Sequence, residues 1–324
     1  MRKIEVCPGT LAAGYDKYSP ACIRQMFDGK QVSPIMDFSY DAESSDFVAA
    51  INRISISGVQ EKLSAIILNK KIVLTPSGEQ GRYIVKPAPD YNRLRYRDQL
   101  PANEHLTMQI ASQVYKFFTD GKPAYITKRF DFATDGTKIA QEDFSSLAGK
   151  TSNTHGKDFK YSGSYEDAAM LIRKYVAAWQ VEMANFFTLV VFNYIFGNGD
   201  AHLKNFSLQQ TASGDYLLTP AYDLLNTSIH VDDSDFALQD GLMPKDAWSE
   251  IYKNCGHPCK EDFIEFGKRI GVLPKKINEI IEMFATENPM VYELIGRSFL
   301  DDRTKRMYKR SYQERLSRFR RSRE

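Results

Sequence analysis

The stretch "FNYIFGNGDAHLKNFSL", residues 192–208, decides the fold of this chain, because an apolar run gives way within it to a polar loop and then to a strand. The apolar run begins upstream at Trp179 and is typical of a helix buried on most sides. Asp200 and Asn205 lie five positions apart in the loop that follows. A carboxylate and an amide thus stand between a buried helix and a short strand that can hold them in place.

Asp and Asn at this spacing, on a loop that enters a strand, occur in the catalytic loop of protein kinases, where Asp accepts the hydroxyl proton and Asn binds Mg²⁺. The spacing alone is weak evidence, because it often arises by chance. Downstream, "YLLTPAYDLLN" places Asp223 after a second short strand. A hairpin with Asn205 before one strand and Asp223 after the other would direct both side chains at one Mg²⁺ ion, which prefers oxygen ligands and few protein groups.

A phosphoryl-transfer site also needs a cation for the nucleotide phosphates, and Lys86 is the candidate. It ends the apolar strand "GRYIVKPAP", at a position where a side chain without a function is usually apolar or faces solvent. Glu104, in the first turn of a helix predicted to begin near Asn103, could pair with it. Lys86 could also be an ordinary lysine at a strand end, but its place before the helix that carries Glu104 favours a function.

The residues around the candidate loop differ from those of familiar serine/threonine kinases. Such kinases carry a lysine two residues after the catalytic aspartate, whereas this chain has His202 there and Lys204 two residues further on. The simpler interpretation of His202 is a loop histidine packed beside the buried helix. Asp223 is followed by two leucines where Asp-Phe-Gly would be expected. The pattern is therefore kinase-like without being that of an ordinary protein kinase.

The composition excludes several classes of protein. The 324 residues include 43 Lys and Arg against 41 Asp and Glu, and 43% are hydrophobic, which is typical of a folded chain. The net charge of +2 indicates no particular partner. The longest apolar segment, residues 186–196, is too short to span a membrane, and no apolar run follows the basic N-terminus. With only four cysteines, the sequence predicts a cytoplasmic protein with no membrane contact.

The chain divides into a strand-rich first part and a helical second part, an α+β pattern with segregated elements. In the first part, β-branched runs alternate with turn signals and are interrupted by one amphipathic helix. Beyond residue 160 helices dominate, ending with one from 289 to about 318. We predict two domains, residues 1–145 and 146–324, as a strand-rich N-terminal lobe and an all-helical C-terminal lobe with the active site in the cleft.

The segment "CGHPC", residues 255–259, raises the possibility of zinc, because thiolate and imidazole are its usual ligands. A four-ligand site would need Cys7 and Cys22, more than two hundred residues upstream. Packed thiols at a helix end are the favoured interpretation, and we predict no metal at either place.

Further segments occur in a characteristic order around the opening stretch: "ISISGVQEK", "YIVKP", "NEHLTMQIA", "ITKRFDF", "QEDFSSL", "GSYEDAAMLI" and "TPAYDLL". Together, over about residues 50–285, they resemble the HipA serine/threonine kinases, toxins of bacterial toxin–antitoxin systems. The resemblance implies a two-lobed, protein-kinase-like fold that uses ATP and Mg²⁺ to phosphorylate a protein.

The resemblance also implies a role for each position that matches a family motif. Asp200 would be the catalytic aspartate, with His202 supporting its loop, and Asn205 and Asp223 would bind Mg²⁺. The implied ATP-binding residues are Lys86 with Glu104 as its partner, Glu142 and Phe144 in the segment that meets adenine, and Ser57, Gly58, Val59, Gln60 and Lys62 in the loop over the phosphates.

The segment "ISISGVQEK", residues 54–62, also contains candidate modification sites. Period-two spacing places Ser55 and Ser57 on one side of an extended strand that ends at Gly58, which local structure alone would explain. In the family this loop carries an autophosphorylation serine; Ser55 matches it, and Ser57 adds a second. A phosphoserine there would add nearly two negative charges beside those of ATP, so the resemblance implies a self-inactivating switch.

The N-terminus differs from that of full-length HipA, because an extra subdomain is absent. In this respect the chain is similar to HipT, the short kinase of three-part systems. The implied partners are a HipB-like DNA-binding antitoxin and a separate small HipS-like protein, with DNA reached only through the antitoxin. The implied protein substrate is a translation component such as an aminoacyl-tRNA synthetase, whose phosphorylation arrests growth, as in persistence.

Two other functions stay open at this point. Small-molecule kinases related to aminoglycoside phosphotransferases use the same Asp and Asn spacing with a later Asp, although "SISGVQEK" and "QEDFSSL" belong to the HipA pattern. A pseudokinase could act as a binding module through residues 301–324, where ten basic and four acidic residues are interleaved with Tyr308, Tyr312 and Phe319. A solvated terminal helix with packed apolar side chains is the simpler interpretation of this tail.

Overall fold

The computed structural model describes residues 4–36, 62–76, 79–89, 94–114, 126–133 and 135–322. The chain forms two compact units, one of Met1–Asp135 with Pro289–Arg306 and the other of Gly136–Asn288 with Met307–Glu324. Both helices and strands are present, which confirms the predicted α+β class.

The elements in chain order are as follows. The strands are β1 (Leu63–Leu68), β2 (Lys71–Leu74), β3 (Tyr83–Val85), β4 (Ile126–Lys128), β5 (Gln141–Asp143), β6 (Ser207–Gln210) and β7 (Tyr216–Leu218). The helices are α1 (Pro20–Phe27), α2 (Leu100–Gln113), α3 (Phe144–Leu147), α4 (Ser152–His155), α5 (Tyr165–Tyr175), α6 (Trp179–Ile195), α7 (Glu250–Cys255), α8 (Lys260–Arg269), α9 (Pro274–Ala285), α10 (Pro289–Arg297) and α11 (Asp302–Phe319).

The first unit contains an antiparallel four-stranded sheet in the order β2-β1-β3-β4. Leu68 pairs with Lys71, so Asn69 and Lys70 form a two-residue turn, and both have positive φ, as a tight hairpin that follows strand twist requires. Helix α1 packs on this sheet through a shared buried cluster, and Tyr83 donates a hydrogen bond from its hydroxyl to the carbonyl oxygen of Met26 at 3.1 Å. The runs of β-branched residues and turns over 63–85 suggested a meander, but that prediction is wrong, because β1 lies between β2 and β3 and the strands are therefore not in chain order across the sheet.

Helix α2 is the single helix predicted within the first part, and it begins at Leu100, a few residues before Asn103, with a proline in its first turn. It packs against α10, which returns to this unit from near the end of the chain. The rings of His105 and Phe299 stack with centroids 5.9 Å apart. The backbone N–H of Asp301 donates to the side-chain oxygen of Gln99 at 2.8 Å.

The second unit is built around α6, which is buried along most of its length, as the apolar run predicts. Helices α5 and α9 pack on it, and α5 begins with a capping box in which Ser164 and Asp167 satisfy each other's backbone N–H groups. Aromatic rings fill the core: Phe186 meets Phe206 with centroids 5.2 Å apart. Burial of this helix fixes the start of the loop that carries Asp200.

The prediction of an all-helical C-terminal lobe needs a correction. Strands β5, β6 and β7 form a three-stranded antiparallel sheet within the second unit. The strand of "QEDF" pairs with β6 and not with the sheet of the first unit, since Glu142 lies opposite Leu208. Local sequence shows that a segment is extended but not which sheet it joins, so the prediction missed this pairing.

The predicted single helix from 289 to about 318 is also wrong, because the structure divides it into α10 and α11. The Asp301 side chain accepts a hydrogen bond from the backbone N–H of Thr304 at 2.7 Å and so begins a new helix. Helix α11 packs Tyr308, Tyr312 and Phe319 into the protein core. Tyr312 stacks on Phe196 with centroids 5.1 Å apart.

Among the residues that the structure describes, we find no helix with the length and apolar character needed to cross a bilayer.

Candidate functional site

The loop that carries Asp200 begins where α6 ends. Gly197 turns the chain with φ of 67°, a conformation that glycine adopts without strain. Thr227 holds the loop from the other side, because its hydroxyl donates to the carbonyl oxygen of Gly197 at 3.0 Å and accepts from the N–H of Gly199 at 2.8 Å. The backbone before Asp200 is thus fixed by one threonine.

The carboxylate of Asp200 is open to an incoming group, with 51% of its side chain exposed. The hydroxyl of Tyr161 donates to its Oδ1 at 2.8 Å, which leaves Oδ2 for another contact. Crowding by protein atoms raises the pKa of the Asp200 carboxyl, and Asp233 and Asp223 act in the same direction, while Lys160 and the Tyr161 hydroxyl oppose the rise.

His202 is buried at the base of the loop and contacts two other functional groups. Its Nε2 lies 2.8 Å from the Nζ of Lys160 and 4.0 Å from the Oδ2 of Asp200. The ring of Tyr161 meets the imidazole edge-on, with centroids 5.2 Å apart. The buried histidine therefore connects Lys160 to the loop that carries the carboxylate.

Asn205 and Asp223 lie together at the base of the β6–β7 hairpin, as expected from their places before and after its strands. The Nδ2 of Asn205 is 3.4 Å from the Oδ2 of Asp223. The Oδ1 of Asn205 is buried and, within the part of the chain that the structure describes, accepts no hydrogen bond. A buried amide oxygen without a donor is costly unless a water or a cation takes that place, and Mg²⁺ prefers carboxylate and amide oxygens, so these two side chains fit a Mg²⁺ ion.

The backbone at Asp223 supports the same conclusion. Its φ is 54°, a left-handed conformation that costs free energy for every residue other than glycine, although less for asparagine and aspartate than for most. The Asn198 side chain donates to the carbonyl oxygen of Asp223 at 3.4 Å. Strain of this kind persists only where surrounding contacts hold it, and it clusters at functional sites.

The first unit contains a buried ion pair. The ammonium of Lys86 contacts the carboxylate of Glu104, and only 5% and 2% of these side chains are exposed. Lys86 directly follows β3, and Glu104 lies in the first turn and a half of α2. This is the pairing that the sequence predicted, and such a strand-lysine and helix-glutamate pair holds nucleotide phosphates in kinases.

Other predicted ATP-binding positions have different outcomes. Lys62 is half-buried at the edge of β1. The other positions of the predicted phosphate loop lie outside the described residues: Ser55, Ser57, Gly58, Val59 and Gln60.

Glu142 is exposed on β5, so it is open to a ligand, whereas the Phe144 side chain is fully buried. The Phe144 N–H donates to Phe206 at 2.9 Å, and its carbonyl accepts from Ala148 at 3.0 Å. The buried ring cannot stack on adenine, so the contact of Phe144 with adenine stays a prediction for its backbone carbonyl, which has a second lone pair.

The structure adds residues that sequence reasoning missed. Lys160 and Tyr161, on the short 3₁₀ turn Phe159–Tyr161, reach the loop of Asp200 from about forty positions upstream. Lys204, two residues beyond His202, instead bonds to Asp143 at 2.8 Å. Nothing in local spacing signals a contact between segments so far apart in the chain.

A cavity of about 1120 Å³ in the second unit borders this loop. Asp233 and Ser234 line it, and they are also the residues that a side chain at position 199 would meet. The stacked rings of Trp248 and Tyr252, with centroids 3.8 Å apart, form part of its wall.

The four cysteines are free thiols. Cys7 and Cys22 lie side by side in the first unit, and a hydrogen bond from the Cys22 thiol is the main cause that lowers the pKa of Cys7 to about 4. In the "CGHPC" segment, which was considered above as a zinc site, His257 contacts Asp235 at 2.8 Å and the Cys255 thiol donates to the His257 carbonyl at 3.4 Å. Among the described residues, no three His, Cys, Asp or Glu side chains form a cluster suited to a metal ion.

The fold and these groups define a kinase-like protein. The groups are the loop of Asp200, the Asn205–Asp223 pair and the buried Lys86–Glu104 pair, on an α+β fold. A family model for the HipA-like C-terminal domain matches residues 54–291, and the chain belongs to that family.

Three relatives support kinase activity. A protein of Haemophilus influenzae, described as "Putative kinase", is 26% identical over 331 residues, which cover 93% of this chain and 92% of the relative. Two proteins of Sinorhizobium fredii, "Putative kinase Y4mE" and "Putative kinase Y4dM", are 27% and 31% identical over 63% and 57% of this chain. The matches span 51% and 48% of those two proteins, about half of each.

Two solved structures are similar to this chain. One is HipA of Shewanella oneidensis MR-1 in a complex with HipB and operator DNA, at 21% identity and a TM-score of 0.49, covering 82% of this chain and 65% of that one. The other is the Helicobacter pylori proinflammatory kinase CtkA, at 15% identity and a TM-score of 0.48, covering 80% of this chain and 90% of that one.

Proposed function

We propose that this chain is an ATP- and Mg²⁺-dependent serine/threonine protein kinase of the HipA and HipT type. The observation that carries the proposal is the buried Oδ1 of Asn205, which accepts no hydrogen bond in the described part of the chain and lies on the side chain that meets Asp223. Asn205 precedes the first strand of one hairpin and Asp223 follows the second, and Asp200 lies in the same loop as Asn205.

Asp200 serves as the proton acceptor for the substrate hydroxyl. Its raised pKa makes the carboxylate a better base than a fully solvated aspartate, and the Tyr161 hydroxyl holds one oxygen so that the other faces the substrate. The cavity beside the loop, bordered by Asp233, has room for a segment of an acceptor protein.

Asn205 and Asp223 hold the metal, and Lys86, oriented by Glu104, holds the nucleotide phosphates. When bound, Mg²⁺ neutralises charge on the phosphates. Glu142, exposed on β5, is retained as a contact for adenine, as the family resemblance implies.

The biological proposal follows from membership of the family. We propose that the chain acts in the cytoplasm as the toxin of a toxin–antitoxin system and phosphorylates a translation component such as an aminoacyl-tRNA synthetase. Its proposed partners are a HipB-like antitoxin and a small HipS-like protein. Its proposed control is autophosphorylation at Ser55 or Ser57, which would weaken ATP binding through like-charge repulsion.

The sharpest test is phosphoproteomics of cells that express the active chain beside cells that express Asp200→Asn. A serine or threonine phosphosite that appears on a protein only with the active chain supports the proposal and identifies the substrate. A matched control is Asp215→Asn, the same substitution at an exposed position in the turn of the β6–β7 hairpin. That variant should give the same sites as the unchanged chain.

The same variants distinguish the other functions. Phosphate transfer to an aminoglycoside or another small molecule, with no protein phosphosite, would replace the proposal by a small-molecule kinase. Equal results for the unchanged chain and Asp200→Asn would indicate a pseudokinase. A binding role for the basic tail is not favoured, because Tyr308, Tyr312 and Phe319 are buried and cannot stack on bases.

A further inference from the structure

The loop of Asp200 lacks the lysine that familiar protein kinases place two residues after the catalytic aspartate, because His202 stands there. Lys204 is the next lysine in the loop, but its Nζ bonds to the Oδ2 of Asp143 at 2.8 Å. Its charge is therefore paired with a carboxylate at the end of β5.

A lysine from another segment reaches that position. The Nζ of Lys160 lies 2.8 Å from the Nε2 of His202, and this nitrogen is 4.0 Å from the Oδ2 of Asp200. An ammonium group only donates hydrogen bonds, so Nε2 must accept. The histidine thus replaces the lysine in sequence and, in space, holds the ammonium of Lys160 near the catalytic carboxylate.

The segment that carries Lys160 is held in place on several sides. The N–H of Gln239 donates to the Tyr161 carbonyl at 2.9 Å, and the N–H of Asp240 donates to the Gly163 carbonyl at 3.1 Å. The Tyr161 hydroxyl donates to Asp200 itself at 2.8 Å. Lys160 is thus presented by a turn that is fixed to the same loop, which is the preorganisation that electrostatic catalysis needs.

We propose that Lys160 is a catalytic residue whose ammonium contacts the transferring phosphoryl group, in place of the lysine that the loop lacks, with His202 as its positioning residue. This inference rests on the proposed kinase function and adds to it a charge from outside the recognised motif.

The step that Lys160 assists is a simple displacement. The substrate hydroxyl oxygen forms a bond to the γ-phosphorus of ATP, while the bond from that phosphorus to the bridging oxygen breaks. The leaving ADP keeps the electron pair of the broken bond, and the hydroxyl proton passes to the Asp200 carboxylate. The ammonium of Lys160 stabilises the negative charge on the oxygens of the transferring group and gives up no proton.

The test compares Lys160→Met with Lys157→Met, the same substitution at an exposed lysine three residues upstream. We measure phosphate transfer from ATP under single-turnover conditions together with the Kd for ATP. For Lys160→Met the rate should fall about 100-fold, as when one donor to a developing charge is removed, while the Kd for ATP stays within about twofold. Lys157→Met should match the unchanged chain.

A rescue experiment separates catalysis from folding. Lys160→Cys is treated with 2-bromoethylamine, which adds an aminoethyl group to the thiol and restores a lysine-like ammonium, or with iodoacetamide, which adds a neutral group. The unchanged chain is treated in parallel, because Cys255 is exposed and will also react. Only the aminoethylated protein should recover activity, by about tenfold or more.

The outcomes distinguish this inference from the proposed function. If the unchanged chain transfers phosphate, Asp200→Asn does not, and Lys160→Met keeps a rate within about threefold of the unchanged chain, the role of Lys160 is overturned and the kinase proposal stands. Equal recovery with both reagents would also overturn it, because a neutral side chain would then suffice. If the unchanged chain and Asp200→Asn are equally inactive, both proposals fall.

Discussion

The carboxylate of Glu104 contacts the ammonium of Lys86, and both side chains are almost completely buried in the first unit. Removing one member of a buried ion pair leaves an uncompensated charge, whereas replacing both by apolar residues of similar volume is often neutral. The two side chains can therefore be tested separately for stability and for function.

We predict that Lys86→Met lowers the free energy of unfolding by about 3 kcal/mol, because Glu104 then stays buried without its cation. The double variant Lys86→Met with Glu104→Met should regain most of that stability. Neither should bind ATP as tightly as the unchanged chain if Lys86 holds the phosphates. Urea denaturation and nucleotide titration measure the two effects. A double variant that binds ATP normally would remove Lys86 from the site.

The Oδ1 of Asn205 provides a second prediction, because its lack of a donor in the described part of the chain indicates a place for a cation. Asn205→Ala should raise the Mg²⁺ concentration needed for half-maximal ATP binding by about tenfold or more, since a hard cation loses an oxygen ligand. It should not lower stability much, because the alanine buries no unpaired oxygen. Magnesium titrations at fixed ATP measure the change.

Gln210→Ala, in β6 of the same hairpin, is the matched control for Asn205→Ala. Its magnesium dependence should equal that of the unchanged chain. If both variants, or neither, change that dependence, the buried oxygen of Asn205 is not a metal ligand.

Glycine at position 199 allows Asp233 and the backbone of Ser234 to lie closer to the loop of Asp200 than any side chain at that position would permit. An added Cβ would lie 2.4 Å from the Asp233 carboxylate and 2.7 Å from the backbone oxygen of Ser234. The carboxylate can move, but the backbone oxygen cannot do so without shifting its segment. We predict that Gly199→Ala costs about 1–3 kcal/mol of stability and displaces Asp200, so that phosphate transfer is lost even at temperatures where the protein stays folded.

The control for that substitution is Gly296→Ala, in helix α10, where an added Cβ meets nothing within 4 Å. Alanine is favoured over glycine inside a helix by roughly 0.5–1 kcal/mol, so the opposite sign is expected. Thermal unfolding of the two variants checks both signs. Equal changes in unfolding temperature for the two variants would show that the close contacts at position 199 do not limit stability.

The contacts among the candidate site residues of the second unit could largely be predicted from the sequence, because these residues are close together in the chain. Asp200 and Asn205 share a loop, and a short hairpin brings Asp223 back to that loop, so spacing and turn chemistry suffice. The pairing of Lys86 with Glu104 was also predictable, since strand β3 is followed by the helix that carries the glutamate. Local order along the chain therefore determined these contacts.

The remaining features depend on contacts between distant segments. Lys160 meets His202 across 42 positions, and residues 289–306 join the first unit from near the end of the chain. The strand at Glu142 could have paired in either sheet, and packing alone decides that it pairs with β6. Phe144 was assigned to the adenine site by resemblance, but its ring lies in the core of the second unit against Phe186 and Phe206. Periodicity and spacing carry no information on such choices.

The cysteines provide a prediction that is independent of any catalytic role. Cys7, Cys22 and Cys259 are buried, whereas Cys255 is exposed, and all four are free thiols. A large polar reagent such as a dinitrobenzoate disulfide should therefore modify one thiol rapidly in the folded protein and four after denaturation. The low pKa of Cys7, about 4, does not change this result, because a thiolate must be reached before it can react. Cys255→Ser should abolish the rapid phase; a rapid phase that persists in this variant would show that the segment around Cys7 and Cys22 opens in solution.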